Sequence, residues 1–315
     1  MIPKLTEMPM FAEEMEAKAI ERIRKFDSIA QALGFQIVVG FSGGKDSQVV
    51  YDLCERANIS FTAYYNECFE SPTTKRFIAE NYPKVFKRRY YKVGFLQNIE
   101  KHKGLLPTPL FAYCCENYKH NPQYIDNAVV TGVRAYESLK RRESKAFEVK
   151  NKTFLRKNKE LFDIFADKCR GIGSPTEISL KPIVDWTDDD VWSYIFRHNL
   201  PINPEYHYTN RIGCMICCKA DIMRNAFYLK KYPKLIDAVI RERERGETLR
   251  NEKFDWVITL DSRDYEDDKV YYVCRWLNYN FSPFSKKQQL VYEEIRKVYD
   301  EFKRNEATDK NHPKI

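Results

Sequence analysis

No apolar run in the sequence approaches the roughly 20 residues that a membrane-crossing helix requires. The first residues also lack the apolar core of a secretion signal. There is no internal repeat, no low-complexity block and no evident linker between modules. These absences exclude membrane-spanning and repeat architectures, and they predict a cytoplasmic protein with no membrane partner.

The cysteines do not have the pattern of a disulfide-stabilised protein. There are nine of them, an odd number, in a chain without an export signal. Four are scattered singles, which we interpret as small buried residues: Cys54, Cys68, Cys169 and Cys274. The other five form two groups, which are Cys114 with Cys115, and Cys214 with Cys217 and Cys218.

The composition fits a globular, enzyme-sized protein. The chain has 315 residues, of which 43% are hydrophobic and 14% aromatic, so it can bury a substantial core as one large domain or two. Its formal net charge of +8 suits phosphate-bearing ligands, including nucleic acid. Surplus Lys and Arg that merely solubilise the surface would give the same charge.

The most specific motif is QIVVGFSGGKDS at Gln36–Ser47. Its apolar, β-branched start predicts a buried parallel strand, and the residues after Ser47 have the apolar spacing of a helix. Gly43 and Gly44 allow a tight turn at the start of that helix, where backbone N–H groups and the helix dipole attract anions. Lys45 adds a mobile positive charge, so the loop predicts a phosphate site rather than an ordinary strand-to-helix turn.

The spacing of this loop differs from that of the common ATPase loop, which needs four residues between its first glycine and its Gly-Lys pair. Here only three residues separate Gly40 from Gly44, and Asp46 follows Lys45. The segment Ser42–Ser47 instead resembles the pyrophosphatase loop of the adenine-nucleotide α-hydrolase superfamily. That loop holds the phosphates that leave an adenylated substrate.

Strands and helices alternate along most of the chain, which predicts an α/β fold with a doubly wound, mainly parallel sheet. Ligands of such a sheet bind beyond the carboxyl ends of its strands. An amphipathic helix is predicted at Phe11–Leu33 and another at Lys75–Tyr82. Besides the strand in Gln36–Ser47, the patterns predict strands at Ser60–Tyr65, Arg89–Val93, Asn127–Gly132 and Ser179–Val184.

We predict one nucleotide-binding domain with its N-terminal helix over residues 1–219, a mainly helical extension over 220–302 and a mobile polar tail over 303–315. The extension has helical patterns at Ala226–Glu244 and Lys286–Phe302. Within the domain, Lys145–Gly173 is charged and poorly patterned, which indicates a hairpin or flap. Its interleaved basic and aromatic residues would suit nucleic acid, although a solvated charge run has the same composition.

Basic residues follow the strand predicted at Asn127–Gly132. Arg134 is the second residue after its end, where an anionic ligand of the sheet would lie. A solvated helix surface would show the same residues.

The two cysteine groups indicate a metal or cluster site. Cys214 and Cys217 have the spacing at which two thiolates converge on one metal. Two more ligands are needed from Cys114, Cys115 and Cys218, so five candidates compete for four positions. An adjacent Cys-Cys pair is awkward for one tetrahedral zinc ion and easier for an iron–sulfur cluster. Buried thiols with an incidental spacing remain the alternative without metal.

An ordered series of motifs now points to a family. The chain resembles the phosphoadenosine phosphosulfate reductase family of the pyrophosphatase-loop superfamily over about Gln36–Lys219. The motifs that carry the resemblance are Ser42–Ser47, Glu70–Thr74, Cys114-Cys115 with Lys119 and Pro122, Gly132-Val133-Arg134 with Glu137, Ser138 and Arg141, Lys181–Ile183 with Trp186, Thr187, Asp190, Val191 and Trp192, and Asn203-Pro204 with Tyr206, Arg211–Cys214 and Cys217.

The resemblance implies an α/β sheet that binds an adenine nucleotide, with sulfur chemistry nearby. In the cluster-bearing members a Cys-Cys pair and a later CxxC hold a 4Fe-4S cluster. Carried over to this chain, the cluster ligands are Cys114, Cys115, Cys214 and Cys217.

Two departures separate this chain from the reductases of the family. Those enzymes typically carry a modified loop without the Lys-Asp pair, whereas this chain keeps Lys45 and Asp46. They also use a cysteine in a C-terminal Glu-Cys-Gly motif, because releasing sulfite needs a thiolate nucleophile. This sequence has no such motif, and Cys274 in YYVCRW reads as a buried strand residue. Both departures point toward ATP-using relatives such as the DNA phosphorothioation sulfur-transfer enzymes.

The function that we predict is ATP pyrophosphatase chemistry with Mg²⁺: adenylation of an acceptor, with cluster-assisted sulfur transfer to the activated site. Lys45 and Arg134 would neutralise developing charge, and Asp46 would orient the loop or the metal. Nucleic acid is the expected acceptor and a sulfur-donor protein the expected partner. The cofactor-binding set is Ser42, Gly43, Gly44, Lys45, Asp46, Ser47, Gly132 and Arg134. The alternatives are a sulfonucleotide reductase and a nucleotide-binding regulator without catalysis.

Overall fold

The structure is a computed structural model of the chain, and it describes residues 2, 12–120, 126–149, 160, 178–248, 268–278 and 284–311. The chain divides into two compact units. The first combines Met1–Tyr90 with Tyr118–Gly213, and the second combines Tyr91–Asn117 with Cys214–Ile315. Most of the excursion predicted at Lys145–Gly173 lies outside the described residues, and so does Cys169.

In its described part, the first unit contains a six-stranded sheet. The strands are β1 (Ile37–Phe41), β2 (Phe61–Asn66), β3 (Val85–Arg88), β4 (Ala128–Val130), β5 (Phe147–Val149) and β6 (Ile178–Leu180). Their order is β3-β2-β1-β4-β6-β5, and every pair of neighbours is parallel except β5 with β6. The predicted α/β fold with a mainly parallel sheet is confirmed.

Helices of the first unit pack against this sheet. They are α1 (Ala12–Ala32), α2 (Lys45–Arg56), α3 (Pro72–Asn81) and, later in the chain, α6 (Asp188–Arg197). On α1 the apolar side chains recur at helical spacing, and Phe26 is fully buried with its ring 5.9 Å from that of Phe147. Each large side chain buried in this way contributes about 1.5–3 kcal/mol to stability.

The second unit is helical in its described part. Its helices are α4 (Phe95–Lys101), α5 (Tyr113–Tyr118, whose last residue belongs to the first unit), α7 (Ile222–Lys231), α8 (Lys234–Glu247), α9 (Lys269–Asn278) and α10 (Lys286–Asn311). The turn after α4 approaches α8 so closely that a Cβ on Gly246 would collide with the backbone nitrogen of Gly104. Glycine is required at position 246 for this packing.

Two predicted strands differ most from their bounds in the structure. The third strand is Val85–Arg88 rather than Arg89–Val93, because Val85–Arg88 pairs in register with Ala63–Asn66 of β2. The strand predicted at Ser179–Val184 ends at Leu180. Proline at position 182 has no N–H to donate to a neighbouring strand, and the chain turns there.

The C-terminal helices also differ from the prediction. The segment Ala226–Glu244 lies on two helices, α7 and α8, because Pro233 cannot continue a helix through its interior. Helix α10 extends to Asn311, past the predicted end at Phe302. Cys274 lies on helix α9 and not on a strand. None of the described helices has the length and apolarity needed to cross a membrane.

Candidate functional site: a charged cavity and a cysteine group

The glycine loop between β1 and α2 depends on a left-handed residue. Gly43 has φ +73°, and a Cβ there would lie 2.9 Å from Cδ1 of Ile78. The side-chain amide of Asn203 donates to the carbonyl of Gly43 at 3.0 Å. Position 43 therefore needs glycine for its conformation and for the space around it.

Hydrogen bonds close this loop on itself. The Ser47 hydroxyl donates to the carbonyl of Gly44 at 2.8 Å and accepts from the backbone N–H of Ser42 at 3.1 Å. The phenol of Tyr206 accepts from the backbone N–H of Lys45 at 2.8 Å. Burial raises the pKa of Tyr206, so the phenol stays neutral and polarises this first turn of α2 without adding charge.

Two cations and two carboxylates form a network above the loop. Nζ of Lys45 lies 3.2 Å from Oδ2 of Asp46 and 3.1 Å from Oδ1 of Asp188. Nε of Arg134 lies 2.6 Å from Oδ1 of Asp46, and its Nη2 lies 2.5 Å from Oδ1 of Asp188. Lys45 and Arg134 are buried, whereas the side chain of Asp188 is 61% exposed.

The balance of this network favours charged carboxylates. Partial burial by itself raises the pKa of Asp188, but the attraction of Lys45 and hydrogen bonds from Lys45 and Arg134 outweigh it. The pKa of Asp188 therefore lies below its ordinary value. Asp188 stays ionised at neutral pH, and it can exchange one positive partner for another.

Arg134 reaches this network because Gly132, two residues before it in the chain, has no side chain. A Cβ on Gly132 would lie 2.8 Å from the carbonyl carbon and oxygen of Asp46. The end of β4 and the start of α2 can approach so closely only without a side chain at position 132. Arg134 also donates to the carbonyl of Trp186 at 3.3 Å, which fixes the guanidinium.

These residues line a cavity of about 540 Å³ at the carboxyl ends of β1 and β4. Three further cations stand in its wall, which are Lys119, Arg141 and Arg211. Burial and the repulsion of Arg211 lower the pKa of Arg141 from its ordinary value. The first unit therefore offers a concave site with a surplus of positive charge.

The second unit contains the five grouped cysteines. A hydrogen bond with Cys115 and then burial raise the pKa of Cys114, and the nearby Cys214 and Cys218 add to the effect. A hydrogen bond with Cys217 and then burial raise the pKa of Cys218, with Cys115 also contributing. The two segments of cysteines are thus close enough to influence one another.

The chain around Cys214 and Cys217 is fixed by helix α7. The side chain of Asn225 accepts from the N–H of Cys217 and donates to its carbonyl, both at 3.0 Å. Arg224 donates to the carbonyl of Cys214. The backbone N–H of Lys219 donates to Sγ of Cys217 at 3.4 Å, a contact that stabilises negative charge on sulfur.

The other cysteine segment is fixed by its own partners within the second unit. The indole N–H of Trp276 donates to the carbonyl of Pro107 at 2.7 Å, and the Tyr113 hydroxyl donates to the carbonyl of Leu105 at 2.7 Å. Even so, among the described residues no three His, Cys, Asp or Glu side chains form a set arranged to hold a metal ion.

Two residues of the charged cavity, Asp188 and Tyr206, and the adjacent Asn203 have no site role in the sequence-based prediction. Asp188 lies in the first turn of α6, beside the capping box that Thr187 and Asp190 form. Asn203 and Tyr206 appeared only as members of the family motifs. A run of three aspartates after a predicted strand was the available signal for Asp188, since the cap uses only Asp190 of the three.

The fold and the cavity define a doubly wound α/β protein whose cations gather at the carboxyl ends of its parallel strands. Residues 36–220 match the family model described as the phosphoadenosine phosphosulfate reductase domain. The match covers more than half of the chain, and the chain belongs to this family.

Individual relatives are distant. An uncharacterized protein of Methanocaldococcus jannaschii is 25% identical over 82% of this chain, and the chain spans 56% of that relative's length. Sulfate adenylyltransferase subunit 2 of Parabacteroides distasonis is 26% identical over 63% of this chain and 68% of its own. A phosphate complex of phosphoadenylyl-sulfate reductase from Candida auris has a TM-score of 0.42 and 16% identity, covering 67% of this chain and 98% of that one.

Proposed function

We propose that this chain is an enzyme that binds ATP with Mg²⁺, transfers the adenylyl group to an acceptor oxygen and releases pyrophosphate. The observation that carries the proposal is the convergence of Lys45 and Arg134 in one cavity above a glycine loop that keeps the Lys-Asp pair. The similarity to a sulfate adenylyltransferase subunit favours chemistry at the α-phosphate.

Lys45, Arg134 and the glycine loop have separate roles in the proposed adenylyl transfer. The acceptor oxygen attacks the α-phosphorus and loses its proton to solvent, while the bond from that phosphorus to the bridging oxygen breaks. Negative charge then develops on the departing pyrophosphate, and Lys45 and Arg134 lie where they offset it. The loop from Ser42 to Ser47 holds the phosphates through backbone N–H groups and hydroxyls.

Asp46 and Asp188 suit the magnesium ion in this proposal. Mg²⁺ in such sites takes one or two carboxylates together with substrate phosphates. Both aspartates reach the same ammonium group of Lys45, so both present oxygens to one point of the cavity. If Asp46 and Asp188 held the metal, Lys45 and Arg134 would be left to pair with phosphate oxygens of the nucleotide.

A 4Fe-4S cluster on Cys114, Cys115, Cys214 and Cys217 is the second part of the proposal. The mutual influence of the five thiols and the N–H donated to Cys217 support it. When bound, such a cluster supplies a site for sulfur and electrons. Sulfur at the sulfide level would then bond to the activated atom of the acceptor, and the bond from that atom to the adenylated oxygen would break, so that AMP leaves with the oxygen. Nucleic acid would be the acceptor and a protein the sulfur donor.

The second candidate is a sulfonucleotide reductase, which the name of the family favours. Sulfite release needs an accessible thiolate. Burial raises the pKa of Cys54, and it raises the pKa of Cys274 to about 12, so neither suits the role. Cys68 is buried as well. These three thiols therefore count against the reductase.

The decisive assay follows pyrophosphate release from labelled ATP, with and without DNA or RNA, for the wild type and Lys45→Ala. We expect the variant to lose activity by about 10²–10³-fold, the cost of removing one transition-state donor. Lys25→Ala is the matched control, since Lys25 pairs with Glu21 on the surface of α1. Equal rates for wild type and Lys45→Ala would refute the proposal. Consumption of a sulfonucleotide alone, with sulfite released, would establish the reductase.

A further inference from the structure

One face of the sheet in the first unit packs into the hydrophobic core, and the other face lies outside that core. Ile37, Val39 and Phe41 of β1 belong to the core together with residues of α1 and α2. Successive side chains of a strand point to opposite faces, so Val38 and its neighbours in register lie on the other face. On that face Thr62 and Tyr64 are half-buried, and Phe86 is 60% exposed.

A cavity of about 810 Å³ lies along this second face. Its walls are mostly polar, with Gln36 and Asn127 at the starts of β1 and β4, and Thr62 on β2. It is distinct in its lining from the charged cavity at the strands' carboxyl ends. A ligand here would find hydrogen-bonding side chains rather than an apolar groove.

Flat groups stand side by side on the same face. The rings of Tyr64 and Phe86 are neighbours across β2 and β3, with centroids 6.1 Å apart. The guanidinium of Arg88 lies 3.6 Å from the centre of the Tyr64 ring. Asp126 fixes that guanidinium through two hydrogen bonds of 2.7 and 3.2 Å. Aromatic rings and guanidinium planes are the surfaces on which unstacked nucleobases bind.

Positive charge lies beside these flat groups, because Lys87 and Arg89 line the same cavity as Tyr64 and Arg88. The sequence from Lys87 to Tyr90 is KRRY, which contains three cations and one tyrosine. Around Glu67 stand Lys75, Lys87 and Arg89, with ion-pair distances of 2.8, 2.8 and 3.5 Å. One carboxylate with three cations leaves a surplus of two positive charges, which suits phosphodiester groups.

We propose that this face of the sheet binds single-stranded nucleic acid. Bases stack on Phe86 and on the Tyr64–Arg88 pair, Lys87 and Arg89 contact the phosphates, and the polar wall meets base edges. The inference rests on the proposed function for its view of nucleic acid as the acceptor, and it specifies which surface holds the strand. Because stacking needs splayed bases, single strands bind better than duplex.

A second copy of the chain fits this surface less well. The centre of a stable protein interface is depleted in charged residues. Here Lys87, Arg88, Arg89 and Asp126 all line the cavity. The charge and the adjacent flat groups together favour a polyanion with bases.

The test measures binding to the full chain, without ATP, by fluorescence anisotropy. The probe is a labelled oligothymidine of about 12 nucleotides, a length within the range of site sizes that single-strand-binding folds cover. Phe86→Ala should weaken binding by about tenfold, the loss expected for one stacked base. Arg89→Ala should lower the slope of log K against log salt by about 0.7, the value for one phosphate contact of a single strand. Tyr208→Ala, an exposed aromatic of the same unit, and Lys25→Ala are the matched controls.

Three results would overturn the proposal: wild-type affinity in both sheet-face variants, tighter binding of duplex than of single strand, or a wild-type dimer that Phe86→Ala converts to a monomer. Circular dichroism of each variant checks that the fold is retained. The oligonucleotide measurement and the pyrophosphate assay are independent. Binding without pyrophosphate release would count against the proposed function alone, and pyrophosphate release without binding would count against the sheet face alone.

Discussion

The charged cavity of the first unit and the cysteine group of the second unit hold their residues by different means. In the cavity, Lys45 and Arg134 are already paired with Asp46 and Asp188. An anionic ligand therefore has to replace these carboxylates as the partner of the two cations. In the cysteine group, hydrogen bonds between thiols and burial keep protons on Cys114 and Cys218. A metal there has to displace protons before it binds.

The backbone differs between the two sites as well. The cavity residues follow β1 and β4, whose register fixes them to one another. The cysteines lie on a short helix and a loop that are held by side chains such as Asn225 and Trp276. Strand ends therefore place the residues of the charged cavity through the fold itself, whereas the arrangement of the cysteines depends on a few local hydrogen bonds.

The largest effect that we expect is on the cysteine group. Cys214→Ser should remove essentially all bound iron from protein purified without oxygen, because serine does not replace a thiolate ligand of a 4Fe-4S cluster. Iron and sulfide analysis with visible absorbance gives the measurement.

Cys218→Ser is the matched control for that variant, and it should retain the iron. Loss of iron in Cys218→Ser with retention in Cys217→Ser would assign the fourth ligand to Cys218. A colourless wild type that contains zinc would remove the cluster from the proposal.

The next effect concerns the close approach of β4 and α2. Gly132→Ala should lower the rate of pyrophosphate release by about 100-fold, because displacing a catalytic group by about 1 Å has this cost. The added Cβ would lie 2.8 Å from the backbone of Asp46 and push the loop away from Arg134. Steady-state rates with ATP give the measurement.

Gly40→Ala is the control on the same cavity wall. A Cβ at position 40 meets its nearest atoms at 3.7 and 3.8 Å, which is ordinary contact. Its activity should stay near that of the wild type. Similar losses in both variants would show that any added side chain near the loop is harmful and that the Gly132 contact has no special role.

A smaller effect is expected from Asp188→Asn. The change keeps the size of the side chain and removes one negative charge, so activity should fall by about tenfold, in the range of one charge-assisted hydrogen bond. The concentration of Mg²⁺ that gives half-maximal activity should rise. Asp189→Asn, on the next residue and exposed, should change neither quantity. An unchanged Mg²⁺ requirement in Asp188→Asn would remove Asp188 from the metal site.

The smallest effect concerns stability, away from both sites. Burial alone raises the pKa of Asp185, but hydrogen bonds from Arg22 and Lys18 outweigh it and lower the pKa to about 2. Because the folded pKa is below the unfolded value, the ion pair stabilises the protein above pH ~4, and this stability is lost as the pH falls toward 2.

Asp185→Asn should therefore flatten the dependence of unfolding free energy on pH over that interval. The side chain of Asp185 is 36% exposed and solvent screens the pair, so the effect should be at most about 1 kcal/mol. Urea denaturation between pH 2 and pH 7 measures it, with Asp189→Asn as the control. A pH dependence identical to that of the wild type would contradict the assignment.

Much of the fold was accessible from residue patterns. The apolar run at Ile37–Phe41, the glycine loop and the helix after it have the predicted order, and the helix predicted at Phe11–Leu33 is present as Ala12–Ala32. These elements depend on local periodicity and turn chemistry. The third strand was placed wrongly because its bounds depend on pairing with β2, which no local pattern records.

The residues of the candidate site also fall into two groups, those that the sequence marks and those that only the packing reveals. Lys45, Asp46 and Arg134 are marked by the loop and by the end of a strand. Asp188 and the burial of Arg134 became visible only when the β4 and β6 connections were brought beside α2. The cysteine spacing marked two segments, and their approach to each other is a property of the second unit alone.

The sequence by itself determined that a glycine loop follows the first strand of a parallel sheet, since glycine conformations and strand periodicity are local. It also determined the family, because ordered motifs are a property of the chain. The tertiary structure decided that Lys45 and Arg134 are neutralised by two carboxylates, and that a basic, aromatic face of the sheet stands apart from the core. Charge pairing and exposure depend on which distant segments meet, and only packing settles that.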